Sequence, residues 1–342
     1  MRPEAVAAVM EGMARWANPS SPHAEGRSAR RALEDARARI AAALGWDGEV
    51  ILTSGASEAL AIALRGAGRY ETVVSTVEHD AAMRAAEGDL RLPVGGDGLV
   101  DLNDRSWLLA AFAPQEATER FAIQSANSET GVLQPLDRID ARRREAWIGR
   151  PITLVADCSQ SAGKLPLPPA DLIVVSGHKL GGPPGIGALL VRDLSLLRPT
   201  GGQEQGYRGG TENLPGALGL AAALEAPRDW FDRAAMLRSE LDRVVRANGG
   251  EVIADTSPRI PTIAAYRMPG RSAAAQLMRL DSAGFAVSAG SACSSGTLKT
   301  SHVLTAMGVD AKAASEVIRV SFGWTTTTED VERFAEAWKA MA

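Results

Sequence analysis

Five short apolar runs, each bounded by turn residues, constrain this chain most: VILTS (50–54), TVVST (72–76), ITLVA (152–156), DLIVV (171–175) and IGALLV (186–191). Their hydrophobicity is continuous rather than alternating. Such strands must be covered on both faces, as in a mainly parallel sheet flanked by helices. Helical patterns separate them. Between Arg27 and Leu44, Ala29, Ala32, Leu33, Ala36, Ile40, Ala43 and Leu44 form the stripe of an amphipathic helix. After Pro227 comes a long helical pattern, about 228–247, then IPTIAAY (260–266), FAVS (285–288) and VIRVSF (317–322) alternate with helices. A last helix starts at Thr328. The pattern predicts a doubly wound α/β domain followed by a second, smaller α/β unit. Ligands of doubly wound sheets sit at the carboxyl ends of the strands.

The totals exclude several classes of function. With 342 residues the chain can bury a large core, and a formal charge of −4 gives no reason to expect nucleic acid or an acidic membrane as partner. Two cysteines cannot build a disulfide framework, so a reducing, cytoplasmic setting is expected. The richest apolar run, ALGLAAALEA from Ala217, is stopped by Glu225 and Pro227, short of the roughly 18 residues of a membrane span. The opening MRPEAVAAVMEGMARW is interrupted by Glu4 and Glu11 and does not read as a signal peptide.

The motifs that carry chemistry follow the strands. SGHKLGGPPGIG (176–187) leaves DLIVV directly, and Lys179 is one of five lysines against 32 arginines. A lysine can lose its proton and condense with a carbonyl, which arginine cannot; it is also what a plain surface position carries. The order G-x-x-x-x-G-K-[ST] is absent, so the loop is no nucleotide P-loop. Asp157 closes ITLVAD and could partner the ring nitrogen of pyridoxal phosphate, although a strand-end aspartate is equally a helix cap. LTSGASEAL (52–60) is a strand, a Ser-Gly turn and a helix start, an anion site or a simple cap around Ser57 and Glu58. His79, just past TVVST, could stack on a planar ring and move protons, or serve structure alone. SAGSACSSG (288–296) presents Cys293 among small residues, as a linker or as a tether for one sulfur.

Taken in order, TSGASEA, VEHDAA, ANSETGVLQP, DCSQSAGK, SGHKLGGPPGIGAL, YRGGTEN, SAGSACSSG and VIRVSFG resemble the cysteine desulfurases. These are a branch of the class V aminotransferases within the fold-type I pyridoxal-phosphate enzymes. The resemblance runs from about residue 3 to the end. It implies a large pyridoxal-phosphate-binding domain over 15–228, and a small domain of 1–14 and 229–342 that carries the cysteine loop. It further implies that Lys179 binds the cofactor covalently, Asp157 partners the ring nitrogen, and Gln160 and Asn127 bond the ring oxygen. His79 would stack on the ring and shuttle protons. Ala56, Ser57, Ser176 and His178 match the phosphate cradle, with Thr211 supplied by the second subunit of a homodimer. Arg319, with Asn127, would hold the substrate carboxylate, which a planar guanidinium can do bidentately. In the implied reaction Lys179 removes the α-proton of L-cysteine, and the Cys293 thiolate attacks the substrate sulfur. Alanine and an enzyme persulfide result, and an acceptor protein takes the sulfur for iron–sulfur cluster or other thio-cofactor assembly. No metal is required, and Cys158 is expected to be a buried small residue.

The chain departs from the family at both ends. Members usually begin with a strand reading roughly Tyr-Leu-Asp-x-x-Ala-Thr-Thr, which is absent before MRPEAVAAV, and the chain ends with TTTTEDVERFAEAWKAMA, without the longer tail of relatives. A related pyridoxal-phosphate enzyme (selenocysteine lyase, cysteine β-lyase or aminotransferase) and a non-catalytic binding or regulatory protein are the competing readings.

Overall fold

The computed structural model describes residues 1–65, 70–86, 90–104, 118–145, 152–290 and 300–341. It divides into two compact units: Met1–Leu92, Leu102–Ser125 and Pro135–Ala226 form the larger, and Pro93–Asp101, Ala126–Gln134 and Pro227–Ala342 the smaller.

The larger unit runs α1 (Pro3–Ala14), α2 (Ala24–Leu44), β1 (Glu49–Thr53), α3 (Ala56–Arg65), β2 (Tyr70–Ser75), α4 (Asp80–Ala85), β3 (Leu90–Leu92) and β4 (Thr118–Gln124). It continues with α5 (Leu136–Glu145), β5 (Ile152–Asp157), β6 (Leu172–Ser176), β7 (Gly187–Val191) and α6 (Leu214–Glu225). Helix α2 starts at His23, whose Nδ1 accepts from Gly26 N at 3.1 Å, and stops at Gly45. Its buried stripe is Ala29, Leu33, Ala36 and Ile40, part of the predicted one. The apolar run from Ala217 lies in α6, a helix buried on nearly every face between its neighbours. Helix α1 packs against it. A Cβ on Gly12 would stand 2.8 Å from Pro215 Cα, so this backbone approach requires glycine.

That packing corrects the expected domain limits. Residues 1–14 belong to the larger unit, because α1 buries its inner face on α6. Conversely, 93–101 and 126–134, expected within 15–228, belong to the smaller unit. Val132 bridges Arg259, and the Gln134 side chain joins the two segments by accepting from Val100 N at 2.9 Å and donating to Gly98 O at 2.7 Å.

Among the described residues, seven strands form the larger sheet in the order β1-β7-β6-β5-β4-β2-β3. Strand β7 is antiparallel to both neighbours, and the others run parallel to one another. Strands β5, β6 and β7 are buried throughout, as continuous apolar runs require. Strand β4, TERFAIQ, has no such run, yet it fills the position between β5 and β2. Its Arg120 is fully buried and donates through Nη2 to the Leu196 carbonyl.

The smaller unit holds α7 (Trp230–Ala247), β8 (Glu251–Val252), β9 (Ile263–Arg267), α8 (Ala273–Ser282), β10 (Ser288–Ala289), α9 (His302–Ala306), α10 (Ala311–Ala314), β11 (Val317–Ser321) and α11 (Thr328–Lys339). Its described strands are antiparallel in the order β10-β11-β9-β8. Leu237, Leu241 and Val245 of α7 share one core with Tyr266, Ile318, Phe334 and Trp338. No helix among the described residues is long and apolar enough to cross a membrane.

Candidate active site

In the larger unit, five parallel strands end along one edge of the sheet at Thr53, Ser75, Gln124, Asp157 and Ser176. The register aligns Thr53 and Ser176 with Gly187 of the intervening β7, Val174 with Asp157, and Asp157 with Gln124. Strands lie about 4.8 Å apart. Residues just beyond adjacent ends therefore lie close together, and the ends of β1 and β6, Thr53 and Ser176, 123 positions apart in the chain, flank β7. Along this edge stand the predicted Ala56, Ser57, His79, Asp157, Gln160, Ser176, His178 and Lys179, each at or just after a strand end.

Each member is held by local chemistry. Asp157 is only 7% exposed; one carboxylate oxygen accepts from Ser159 N at 2.9 Å, and its carbonyl accepts from Ser125 N at 2.9 Å. The next residue, Cys158, is fully buried, and burial, with the neighbouring Asp157 charge adding to it, pushes its thiol up to about 12. Its burial is as expected, and a raised pKa disfavours the thiolate. Strand β6 passes into a single 3₁₀ turn, Gly177–Lys179, closed by Leu180 N to Gly177 O at 3.2 Å. There Ser176 Oγ lies 3.1 Å from His178 Nδ1, and burial, reinforced by the Lys179 ammonium, lowers the His178 pKa.

His79 caps α4, its Nδ1 accepting from Ala81 N at 3.1 Å. An accepting Nδ1 leaves the proton of the neutral ring on Nε2. Helix α3 begins at Ala56, where the first N–H groups have no carbonyl one turn earlier. The Ser54 N–H in that turn donates to Glu58 Oε2 at 2.5 Å, and Arg208 pairs with the same carboxylate at 3.1 Å. Burial raises Glu58, but these two partners bring its pKa below the ordinary value. Arg208 thereby ties to α3 the loop carrying the exposed Thr211.

Two residues of this row have no place in the sequence reading. Glu78 is 1% exposed; its Oε1 accepts from Gln124 N at 2.8 Å, while the Gln124 side chain donates to Val77 O at 2.6 Å. Burial raises its carboxyl well above the carboxylate range, the Asp157 charge acting in the same direction against the Gln124 N–H. Lys164 donates from Nζ to Gln160 O at 2.8 Å, and burial followed by the Lys179 charge lowers it to about 8. The scarcity of lysine was the available signal for Lys164; a lone glutamate before His79 offered none.

In the smaller unit, Arg319 lies within β11, opposite Ser288 of β10 and Ala265 of β9. Its Nη1 donates to Ser128 O at 3.0 Å and its Nη2 to Ser288 Oγ at 3.1 Å. Asn127 is 2% exposed, and its Oδ1 accepts from Glu129 N at 2.9 Å, Thr130 N at 2.8 Å and Thr130 Oγ1 at 3.1 Å. The turn closes on Gly131, at φ 78°, where a Cβ would meet Ile263 O at 2.7 Å. With Oδ1 so engaged, the end of Asn127 suited to an acceptor is its Nδ2. Cys293 lies outside the described residues. Before them stands Ser288–Ala289 of β10, and after them Ser301, which caps α9 by accepting from Leu304 N at 3.0 Å.

The aminotransferase class-V family model matches residues 1–334. The chain belongs to that family. A cysteine desulfurase of Cereibacter sphaeroides is 34% identical over 98% of this chain and 91% of its own length. One from Gluconacetobacter diazotrophicus is 36% identical over 97% and 88%. Among solved structures, a NifS-like protein from Rickettsia africae superposes with a TM-score of 0.89 at 27% identity, covering 100% of this chain and 96% of that one. The class-V fold accounts for the strand-end row: a mainly parallel sheet presents chemistry at the carboxyl ends of its strands.

Proposed function

We infer that this chain is a pyridoxal-phosphate-dependent cysteine desulfurase, converting L-cysteine to L-alanine with the sulfur transferred to Cys293. One observation carries the reading: a buried carboxylate, Asp157, and a lysine, Lys179, follow neighbouring parallel strands on the edge that also holds a helix N-terminus. These residues fit the cofactor, which needs an acid at its ring nitrogen, an amine for its aldehyde and an anion cradle for its phosphate. When bound, pyridoxal phosphate would supply an aldehyde for the substrate amine and an electron sink for the pair left at Cα.

The chain's own residues do the rest. Lys179 provides the amine for the aldehyde and moves the proton at Cα. Ala56, Ser57, Ser176 and His178 hold the phosphate, with Thr211 contributed by a second copy of the chain. Gln160 and Asn127 would donate to the ring oxygen, and His79, its orientation set by the cap on α4, would stack on the ring. Arg319 binds the substrate carboxylate. The Cys293 thiolate forms a sulfur–sulfur bond with the substrate as the carbon–sulfur bond breaks, its electron pair staying on carbon. A proton at that carbon completes L-alanine, and an acceptor protein takes the sulfur for iron–sulfur cluster or thio-cofactor assembly.

The test is sulfide release from L-cysteine with a thiol reductant, comparing wild type with Cys293→Ala and Lys179→Ala. Wild type is expected to release sulfide and both variants to lose it. Equal release by wild type and Cys293→Ala would contradict the assignment.

A further inference from the structure

Between the end of β2 and His79 the chain turns through Thr76, Val77 and Glu78, and one residue of β4 holds this turn from the side. Gln124, the last residue of β4, donates its backbone N–H to Glu78 Oε1 at 2.8 Å and its side-chain amide to Val77 O at 2.6 Å. Glu78 and Gln124 are both buried, so neither bond is readily replaced by one to water, which makes both costly to lose. The ladder between β2 and β4 stops at Val74 and Ala122. The two Gln124 bonds carry the connection beyond it, where the chain of β2 leaves the sheet. On its other side Gln124 stands in register with Asp157, and the next residue, Ser125, donates its N–H to Asp157 O at 2.9 Å. One strand end is thus bonded both to the residues before His79 and to the backbone of Asp157. All of these residues belong to the larger unit.

We propose that Glu78 and Gln124 are positioning residues that fix His79 relative to Asp157, and so set how the imidazole meets the cofactor ring. This rests on the reading of His79 as the ring-stacking residue and of Asp157 as the partner of the ring nitrogen. A planar ring gripped at one edge by Asp157 needs the imidazole at a set offset over its face, because aromatic contacts depend on offset and tilt. The two residues follow different strands, β2 and β5, and β4 lies between them as the spacer. The bond from Ala81 N to His79 Nδ1 orients the imidazole on the start of α4. The paired bonds between Gln124 and the Val77–Glu78 segment fix where that start stands against the sheet. A small displacement of a contact group is enough to weaken its effect severalfold or more.

The experiment is a double-mutant cycle on the full chain. It measures the dissociation constant of pyridoxal phosphate and the visible absorption maximum of the cofactor-loaded protein. Glu78→Leu, Gln124→Leu and Glu78→Gln are each made with His79 present and in a His79→Ala background. With His79 present, both leucine variants are expected to weaken binding by about three- to tenfold, the range of one aromatic contact. They should also move the absorption maximum in the direction in which His79→Ala moves it. Glu78→Gln, which keeps an acceptor for Gln124 N–H, should recover most of that loss. In the His79→Ala background the same substitutions should add almost nothing, since a residue that acts through His79 has nothing left to position. Gln124→Leu removes the bond to Val77 O but keeps the backbone donor to Glu78, so the cycle closes even where Glu78→Leu does not fold. Equal losses in both backgrounds, or no loss in Gln124→Leu, would overturn the positioning role alone. Unchanged affinity and absorption in His79→Ala itself would overturn the reading of His79, and the positioning role with it.

Discussion

The two units present polar chemistry in different ways. In the larger one, the candidate side chains stand at or just after the ends of parallel strands, so the sheet acts as a comb and each tooth ends in one or two of them. In the smaller one, Arg319 sits inside an antiparallel strand and is oriented by Ser128, 191 positions away, and Ser288, 31 positions away. The first arrangement suits bond-making at fixed points. The second orients one guanidinium through two acceptors that are distant in the chain, the Ser128 carbonyl and the Ser288 hydroxyl.

This contrast is open to direct attack by a pair of substitutions. Asp157→Asn removes the proposed partner of the ring nitrogen and should lower kcat on the order of 10²–10³-fold, the scale of losing one preorganised electrostatic partner. Arg319→Lys should act mainly on KM for L-cysteine, raising it about tenfold or more as a bidentate contact is replaced by a point charge. Steady-state kinetics separates the two. If both changes lowered kcat alone, the division of labour would collapse.

Much of the comb is legible in the sequence, because each motif directly follows a run of buried aliphatic residues. The strands β1, β2, β5, β6 and β7 all fall within a residue or two of the runs that predict them. Strand β4 is not legible: it begins Thr118-Glu119-Arg120, and its burial depends on its neighbours and on the carbonyl that receives Arg120. The domain limits fail for a similar reason, since 93–101 and 126–134 join the smaller unit through pairings such as Val132 with Arg259, which no local pattern announces. Residues 1–14 join the larger unit because their helix packs on α6, some two hundred positions on. The site shows the same split. Lys179, Asp157 and His79 stand out by position, whereas the Gln124 hold on Glu78 is tertiary.

A smaller effect sharpens the contrast within the comb itself. Glu78 has a folded-state pKa raised by burial, with Asp157 acting in the same direction, so the folded state holds its proton more tightly than the unfolded chain does. Its contribution to stability is full below the unfolded carboxylate value and is lost as pH rises through the folded one. Glu78→Gln keeps a neutral acceptor for Gln124 N–H. The variant should therefore gain stability relative to wild type with rising pH, read from urea unfolding at a series of pH values. Parallel curves would show that Glu78 carries no proton in the fold.

The most direct measurement locates the sulfur. The cofactor-loaded protein is given L-cysteine without a reductant, and its peptides are mapped by mass while L-alanine is counted. One added sulfur on the peptide bearing Cys293, with one L-alanine per sulfur, is the predicted result. L-alanine formed with no sulfur on Cys293, or sulfur found on Cys158 instead, would contradict it.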